Sequence, residues 1–157
     1  MAEIVSLTMK KIRVLVIEDN RLLRSGITMI IEKQPDLKVV AATGSSEDAV
    51  RNARKLKPHV ILLDLGLQDQ NSLRVLEMFK KELPGAKVVI MDLIPTQEDI
   101  IEFVKAGASG FIVKDATAVD FLKTIRSAEP DVVGLASAVS NTVRTRSSGT
   151  SMRPNLG

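Results

Sequence analysis

Five short apolar runs, each followed by a stretch of helical periodicity, constrain this chain more than any other feature. IRVLVI at residues 12–17 is continuous and β-rich; after EDN comes LLRSGITMIIEKQ, where Leu23, Ile27, Ile30 and Ile31 recur at helical spacing. The order then repeats. LKVVAA (37–42) precedes SSEDAVRNARKL, with Ser45 or Ser46 as a cap and Glu47 and Asp48 in the first turn. HVILLD (59–64) precedes SLRVLEMFKKEL. AKVVIM (86–91) precedes TQEDIIEFVKA, where Thr96 and Asp99 have capping-box spacing, and GFIVK (110–114) precedes AVDFLKTIRSA.

Strands that are apolar almost throughout are buried on both faces, and helices between them provide the crossovers that parallel strands need. The expected fold is therefore α/β, a doubly wound five-stranded parallel sheet of (βα)5 type. Ala106, Gly107 and Ala108 provide a helix end and a tight turn into the last strand. Beyond residue 130 the pattern decays into a Ser/Thr/Gly-rich stretch. The expected organisation is an N-terminal extension at 1–10, one domain at 11–130, and a linker or tail at 131–157 with room for a short helix at 135–143.

In a parallel sheet every strand opens its carboxyl end onto one edge, where ligands bind. At those exits stand Glu18 and Asp19 after the first strand, Asp64 after the third, Asp92 after the fourth and Lys114 after the fifth. Any one acid there can simply cap a helix or face solvent. Four together repel one another unless a cation or Lys114 offsets the charge. The chain has no cysteine, which excludes thiolate chemistry and disulfides, and carboxylates without His or Cys suit Mg²⁺ rather than zinc. The single histidine, His59, reads as an ordinary residue leading into a strand. Asp64, directly after HVILL, is the best nucleophile candidate, since an aspartate can attack a phosphoryl group when a metal screens the charge.

These motifs resemble the receiver domains of two-component response regulators, especially those that precede a helix-turn-helix DNA-binding domain. The resemblance runs from about residue 11 to residue 127. It rests on IRVLVIEDNRLLRSGI with Glu18 and Asp19, PHVILLDLGL with Asp64, and AGASGFIVKDA with Lys114. It implies Asp64 as the phosphoacceptor, fed by a histidine kinase, and Lys114 as the partner of the phosphoryl group. It also implies Mg²⁺ held by Glu18, Asp19, Asp64 and the Gly66 carbonyl, with Phe111 at the aromatic switch position. Phe111 could equally be a groove-filling strand residue. The same resemblance implies output through the fourth helix, fifth strand and fifth helix, by homodimerisation or contact with an effector domain.

Three departures qualify these expectations. Asp92 stands where the family has threonine or serine, and an ionised carboxylate cannot donate a hydrogen bond to a phosphoryl oxygen that it also repels. Phosphorylation is accordingly expected to be weakened or uncoupled from switching, with Asp92 and Phe111 as the residues concerned. Gln68 and Ser72 replace the usual proline and glycine after the phosphoacceptor; the loop is freed, and Ser72 is expected to cap the next helix. Finally, no run supplies a recognition helix with clustered arginines, and a net charge of +3 does not argue for nucleic acid. The chain reads as a fragment of a transcriptional regulator, with DNA contacted only through a domain beyond it.

Two other functions stand beside the phosphoacceptor. One is a receiver that binds partners without ever taking phosphate. The other is a small Mg²⁺-dependent phosphotransferase, disfavoured because the interval from Asp64 to Asp69 is too long for a close acid pair and no lid insertion exists. The expectation is not an enzyme. Apolar runs far shorter than the ~20 residues of a membrane span and the lack of a signal peptide point to a cytoplasmic protein.

Overall fold

The computed structural model describes residues 10–67, 71–93 and 97–128; of residues 92, 93 and 97–99 it describes the backbone alone. The expected alternation is present. Strands β1 (Ile12–Ile17), β2 (Leu37–Thr43), β3 (Val60–Asp64), β4 (Lys87–Leu93) and β5 (Gly110–Val113) alternate with helices α1 (Arg21–Glu32), α2 (Ser46–Leu56), α3 (Ser72–Glu82), α4 (Gln97–Lys105) and α5 (Ala118–Ala128). All strands pair in parallel, in the order β2-β1-β3-β4-β5. This is the flavodoxin-like doubly wound fold.

Strand alternation divides the core into two layers. Val14, Val16, Leu62, Val89 and Ile112 point to one face, covered by Ile27 and Ile31 of α1 and by Phe121 and Ile125 of α5. Leu15, Ile17, Ile61, Leu63 and Ile90 point to the other, covered by Ala53 of α2, Phe79 of α3 and Phe103 of α4. β3, central in the sheet, is buried at every position. Burial on both faces, at about 1.5–3 kcal/mol for each large apolar side chain, is why such strands read as unbroken apolar runs.

Local chemistry sets the helix ends. Ser45 caps α2, its side chain accepting from the Asp48 N–H at 3.3 Å, so the choice between Ser45 and Ser46 falls on Ser45. Gly107 has φ 102°, and a Cβ there would press within 3.0 Å of the Lys80 side chain, so the turn after α4 needs glycine twice over. His59 extends the ladder into β3: its N–H donates to the Arg13 carbonyl, and its Nδ1 accepts the Arg13 N–H at 3.0 Å.

One expectation needs correction. Ser72 does not cap α3. Asn71 does, in extended conformation, its side chain accepting from the Leu73 and Arg74 N–H groups. The Ser72 hydroxyl turns inward instead, toward backbone carbonyls. Leu23, in the first turn of α1 and at the same helical spacing as Ile27 and Ile31, is 47% exposed and borders the cavity that Ile27 also lines. The Thr96–Asp99 capping box, the loop position Gln68, the N-terminal extension and the tail with its short helix lie outside the described residues.

Candidate functional site

In this strand order the sheet reverses direction of winding between β1 and β3, and the crevice at their carboxyl ends is where such folds bind ligands. Glu18 continues the row of Val14 and Val16 past the end of β1. Asp64 continues the row of Val60 and Leu62 at the end of β3. Both are only 3% exposed. Together with half-buried Asp19 they offer three carboxylate oxygens lying within 4.8 Å of one another.

Backbone and side-chain bonds fix this cluster from several sides. The Glu18 N–H donates to the Thr43 carbonyl of β2 at 2.9 Å, and the Arg24 guanidinium donates to the Glu18 carbonyl at 2.7 Å. Glu18 Oε1 accepts the Asn20 N–H at 3.2 Å, while Oε2 is buried and accepts no hydrogen bond. Asn20 in turn caps α1 by accepting from the Leu23 N–H at 3.0 Å. On the β3 side, the Leu65 N–H donates to the Met91 carbonyl, and Ser72 Oγ lies 2.7 Å from the Asp64 carbonyl and 2.9 Å from that of Leu65. Gly66 stands beside the phosphoacceptor candidate: an added Cβ would be 3.7 and 4.0 Å from the two Asp64 carboxylate oxygens.

Such crowding has an electrostatic cost. Burial above all, and then the charge of Asp64, push the Glu18 carboxyl up to about 7 from its ordinary 4.5; the Asn20 N–H pulls it down, and Asp19 adds a further upward push. A small hard cation would relieve this. The donors are all oxygen, they converge from two strand ends, and Glu18 Oε2 has a vacant lone pair in a buried position. The residues fit a divalent cation of the Mg²⁺ kind.

The remaining residues singled out from the sequence lie around this cluster. Lys114, exposed just past β5, shares with Glu18 the lining of a cavity of about 150 Å³ floored by Ile27, Met91, Ile112 and Phe121. Among the described residues it forms no ion pair. Phe111 pairs with Ile90 in the sheet and is half-buried against the layer beneath α2, α3 and α4. Asp92 lies in β4, one residue past the Met91 that pairs with Asp64; its side chain is outside the described residues. Of the residues expected from the sequence, Glu18, Asp19 and Asp64 come together and Lys114 shares a cavity with Glu18, while Asn20 and Arg24, which bond Glu18, and the inward bonds of Ser72 to the Asp64 and Leu65 carbonyls were not anticipated. An arginine one helical turn past an acidic pair was the only signal for Arg24.

A doubly wound sheet whose switch point gathers three carboxylates, with a lysine at another strand exit, defines a receiver-type signalling domain. The response regulator receiver domain, as a family, matches residues 14–126. The chain belongs to that family. It is 30% identical over 126 residues to the nitrate/nitrite response regulator protein NarL of Escherichia coli K12, covering 80% of this chain and 58% of NarL. It is 33% identical over 115 residues to the response regulator protein VraR of Staphylococcus saprophyticus, covering 73% of this chain and 55% of VraR. The chain thus spans little more than half the length of these curated relatives. Among solved structures, a LuxR-family response regulator from Aurantimonas matches with a TM-score of 0.72 at 20% identity, over 82% of this chain and 97% of that one. The response regulator domain of Thermotoga maritima CheB matches with a TM-score of 0.64 at 30% identity, over 84% of this chain and 98% of that one. No helix among the described residues is long and apolar enough to cross a membrane.

Proposed function

We propose that this receiver domain accepts a phosphoryl group on Asp64 from a phosphohistidine donor and controls a transcriptional output domain. The observation that carries the reading is the convergence of Glu18, Asp19 and Asp64 within 4.8 Å at the switch point of the sheet. Glu18, Asp19, Asp64 and the Gly66 carbonyl would hold Mg²⁺, which when bound would screen the carboxylates and the transferred oxygens. An Asp64 oxygen attacks phosphorus, the phosphorus–nitrogen bond breaks, and the imidazole leaves with the electron pair and regains a proton. Lys114, at the mouth of the same crevice, neutralises charge on the phosphoryl oxygens.

The wider assignments rest on the family. The donor is a histidine kinase, the domain occupies residues 11–130, residues 131–157 form a linker, and DNA is reached only through a domain beyond it. A cytoplasmic setting and a homodimer or effector contact belong to the same reading, with regulation rather than turnover of a diffusible substrate as the task. Phe111 is the switch residue.

Asp92 favours a second reading, a receiver whose partner binding is weakly coupled to phosphate, because a carboxylate replaces the donor hydroxyl. One experiment separates the two. The chain is incubated with acetyl phosphate and Mg²⁺, and the mass gain of one phosphoryl group is followed alongside the amide resonance of Phe111. The first reading expects a gain that disappears in Asp64→Asn and a Phe111 shift that accompanies it. Gain without the shift supports the second, and no gain in the wild type removes the phosphoacceptor role.

A further inference from the structure

Ser72 is one of four buried polar or charged residues among the described positions, 4% exposed, and the acidic site explains two of the others, Glu18 and Asp64. Its hydroxyl serves none of the free N–H groups at the start of α3, because Asn71 satisfies those of Leu73 and Arg74. Instead the single hydroxyl proton is shared between two carbonyls, those of Asp64 at 2.7 Å and Leu65 at 2.9 Å. A buried hydroxyl so arranged is a tether between the first residue of α3 and the exit of β3.

We propose that Ser72 is a positioning residue for the cation and phosphoryl site, a reading that rests on the receiver function above. It acts through the backbone of Asp64 and Leu65. From the β4 side the Leu65 N–H is already held by the Met91 carbonyl at 3.1 Å, so the Ser72 hydroxyl adds a second anchor from α3. The next residue is Gly66, where an added Cβ would lie 3.7 and 4.0 Å from the Asp64 carboxylate oxygens. Asp64 and the Gly66 carbonyl are therefore presented from one short segment whose root is pinned on two sides. The sequence has Gln68 rather than a rigid proline in the following loop, so the tether supplies stiffness that loop chemistry does not. Mg²⁺ demands near-ideal octahedral geometry, and groups that orient its ligands from behind affect affinity almost as ligands do.

The test compares Ser72→Ala and Ser72→Gly with Val75→Ala, a cavity-forming change in the fully buried core of the same helix. The chain has no tryptophan or tyrosine, so Mg²⁺ titrations of the ¹⁵N-labelled full chain are read from the amide resonances of Glu18, Asp19 and Gly66. Urea midpoints are measured in parallel. Both Ser72 variants are expected to bind Mg²⁺ about tenfold more weakly and to take phosphoryl from acetyl phosphate more slowly. Val75→Ala should lose at least as much stability yet keep wild-type Mg²⁺ affinity. Wild-type affinity in the Ser72 variants, or an equal loss in Val75→Ala, overturns the positioning role while leaving the receiver reading intact. A wild-type chain that takes neither Mg²⁺ nor phosphoryl overturns both.

Discussion

Glu18 and Asp64 end neighbouring parallel strands with their carboxylates together and both almost fully buried, and burial followed by the charge of Asp64 raises the Glu18 carboxyl. The raised Glu18 carboxyl, at about 7 against 4.5 in an unfolded chain, makes the metal-free folded state hold a proton that the unfolded state releases. Stability therefore falls as pH rises between those two values. Urea midpoints at pH 5 and pH 7.5 in the presence of a chelator should show the fall. Glu18→Gln should flatten it, and Mg²⁺ at pH 7.5 should reverse it. A wild-type profile that rises over this interval contradicts the assignment.

Gly44 lies where the chain passes Glu18 and Asp19. A Cβ there would stand 2.8 Å from the Arg24 guanidinium and 3.2 Å from the Asp19 backbone. Gly44→Ala should drive Arg24 off the Glu18 carbonyl and cost about 1–3 kcal/mol. Thermal unfolding of Gly44→Ala, Arg24→Ala and the double variant checks this: the cost of the alanine at 44 should shrink once Arg24 is gone. Strict additivity would mean that the two do not meet.

Arg126 donates to both oxygens of Asp36 at 2.7 and 2.8 Å and to Gln34 at 2.9 Å, a partly buried clamp. The hydrogen bond from Arg126 is the main cause holding the Asp36 carboxyl below its ordinary 3.8. Its contribution is thus full above that value and lost as pH falls through the lowered folded one. Asp36→Asn should cost about 1–2 kcal/mol at pH 7. Wild type and variant should converge in acid, and a gap of unchanged size at pH 2.5 would rule out the ion pair as its source.

Asp92→Thr restores a hydroxyl donor at the end of β4. Beryllofluoride with Mg²⁺ should bind the variant roughly tenfold more tightly than wild type, the worth of one charge-assisted hydrogen bond. The Phe111 amide should then move with saturation. Equal affinity in the two proteins would show that Asp92 does not disturb the phosphoryl site.

The sheet, its helices and the residues at its open edge were legible because continuous apolar runs and helical spacing are local signals, and because parallel strands bring all their exits together. Asp64 could be located by counting from HVILL alone. Its supports could not. Asn71 and Ser72 are both capping-type residues, and only the depth of the site decides that the first caps while the second turns inward. Arg126 and Asp36 are 90 residues apart, and nothing in either neighbourhood marks the other. Leu23 has the spacing of Ile27 and Ile31 but is 47% exposed in the first turn of α1, a degree of burial that periodicity does not encode.

The Arg126–Asp36 clamp also sets a distance. Asp36 immediately precedes β2, at the edge of the sheet where strands begin, and α5 runs back to it from the edge where Lys114 and the acids stand. Helix α5 therefore ends on the far side of the domain from Asp64. Strands of five to seven residues make that separation about 20 Å. No atom added at Asp64 can touch the last turn of α5. Any coupling between them would have to pass through the packed elements that separate them, and the clamp fixes where the last turn of α5 sits against the start of β2.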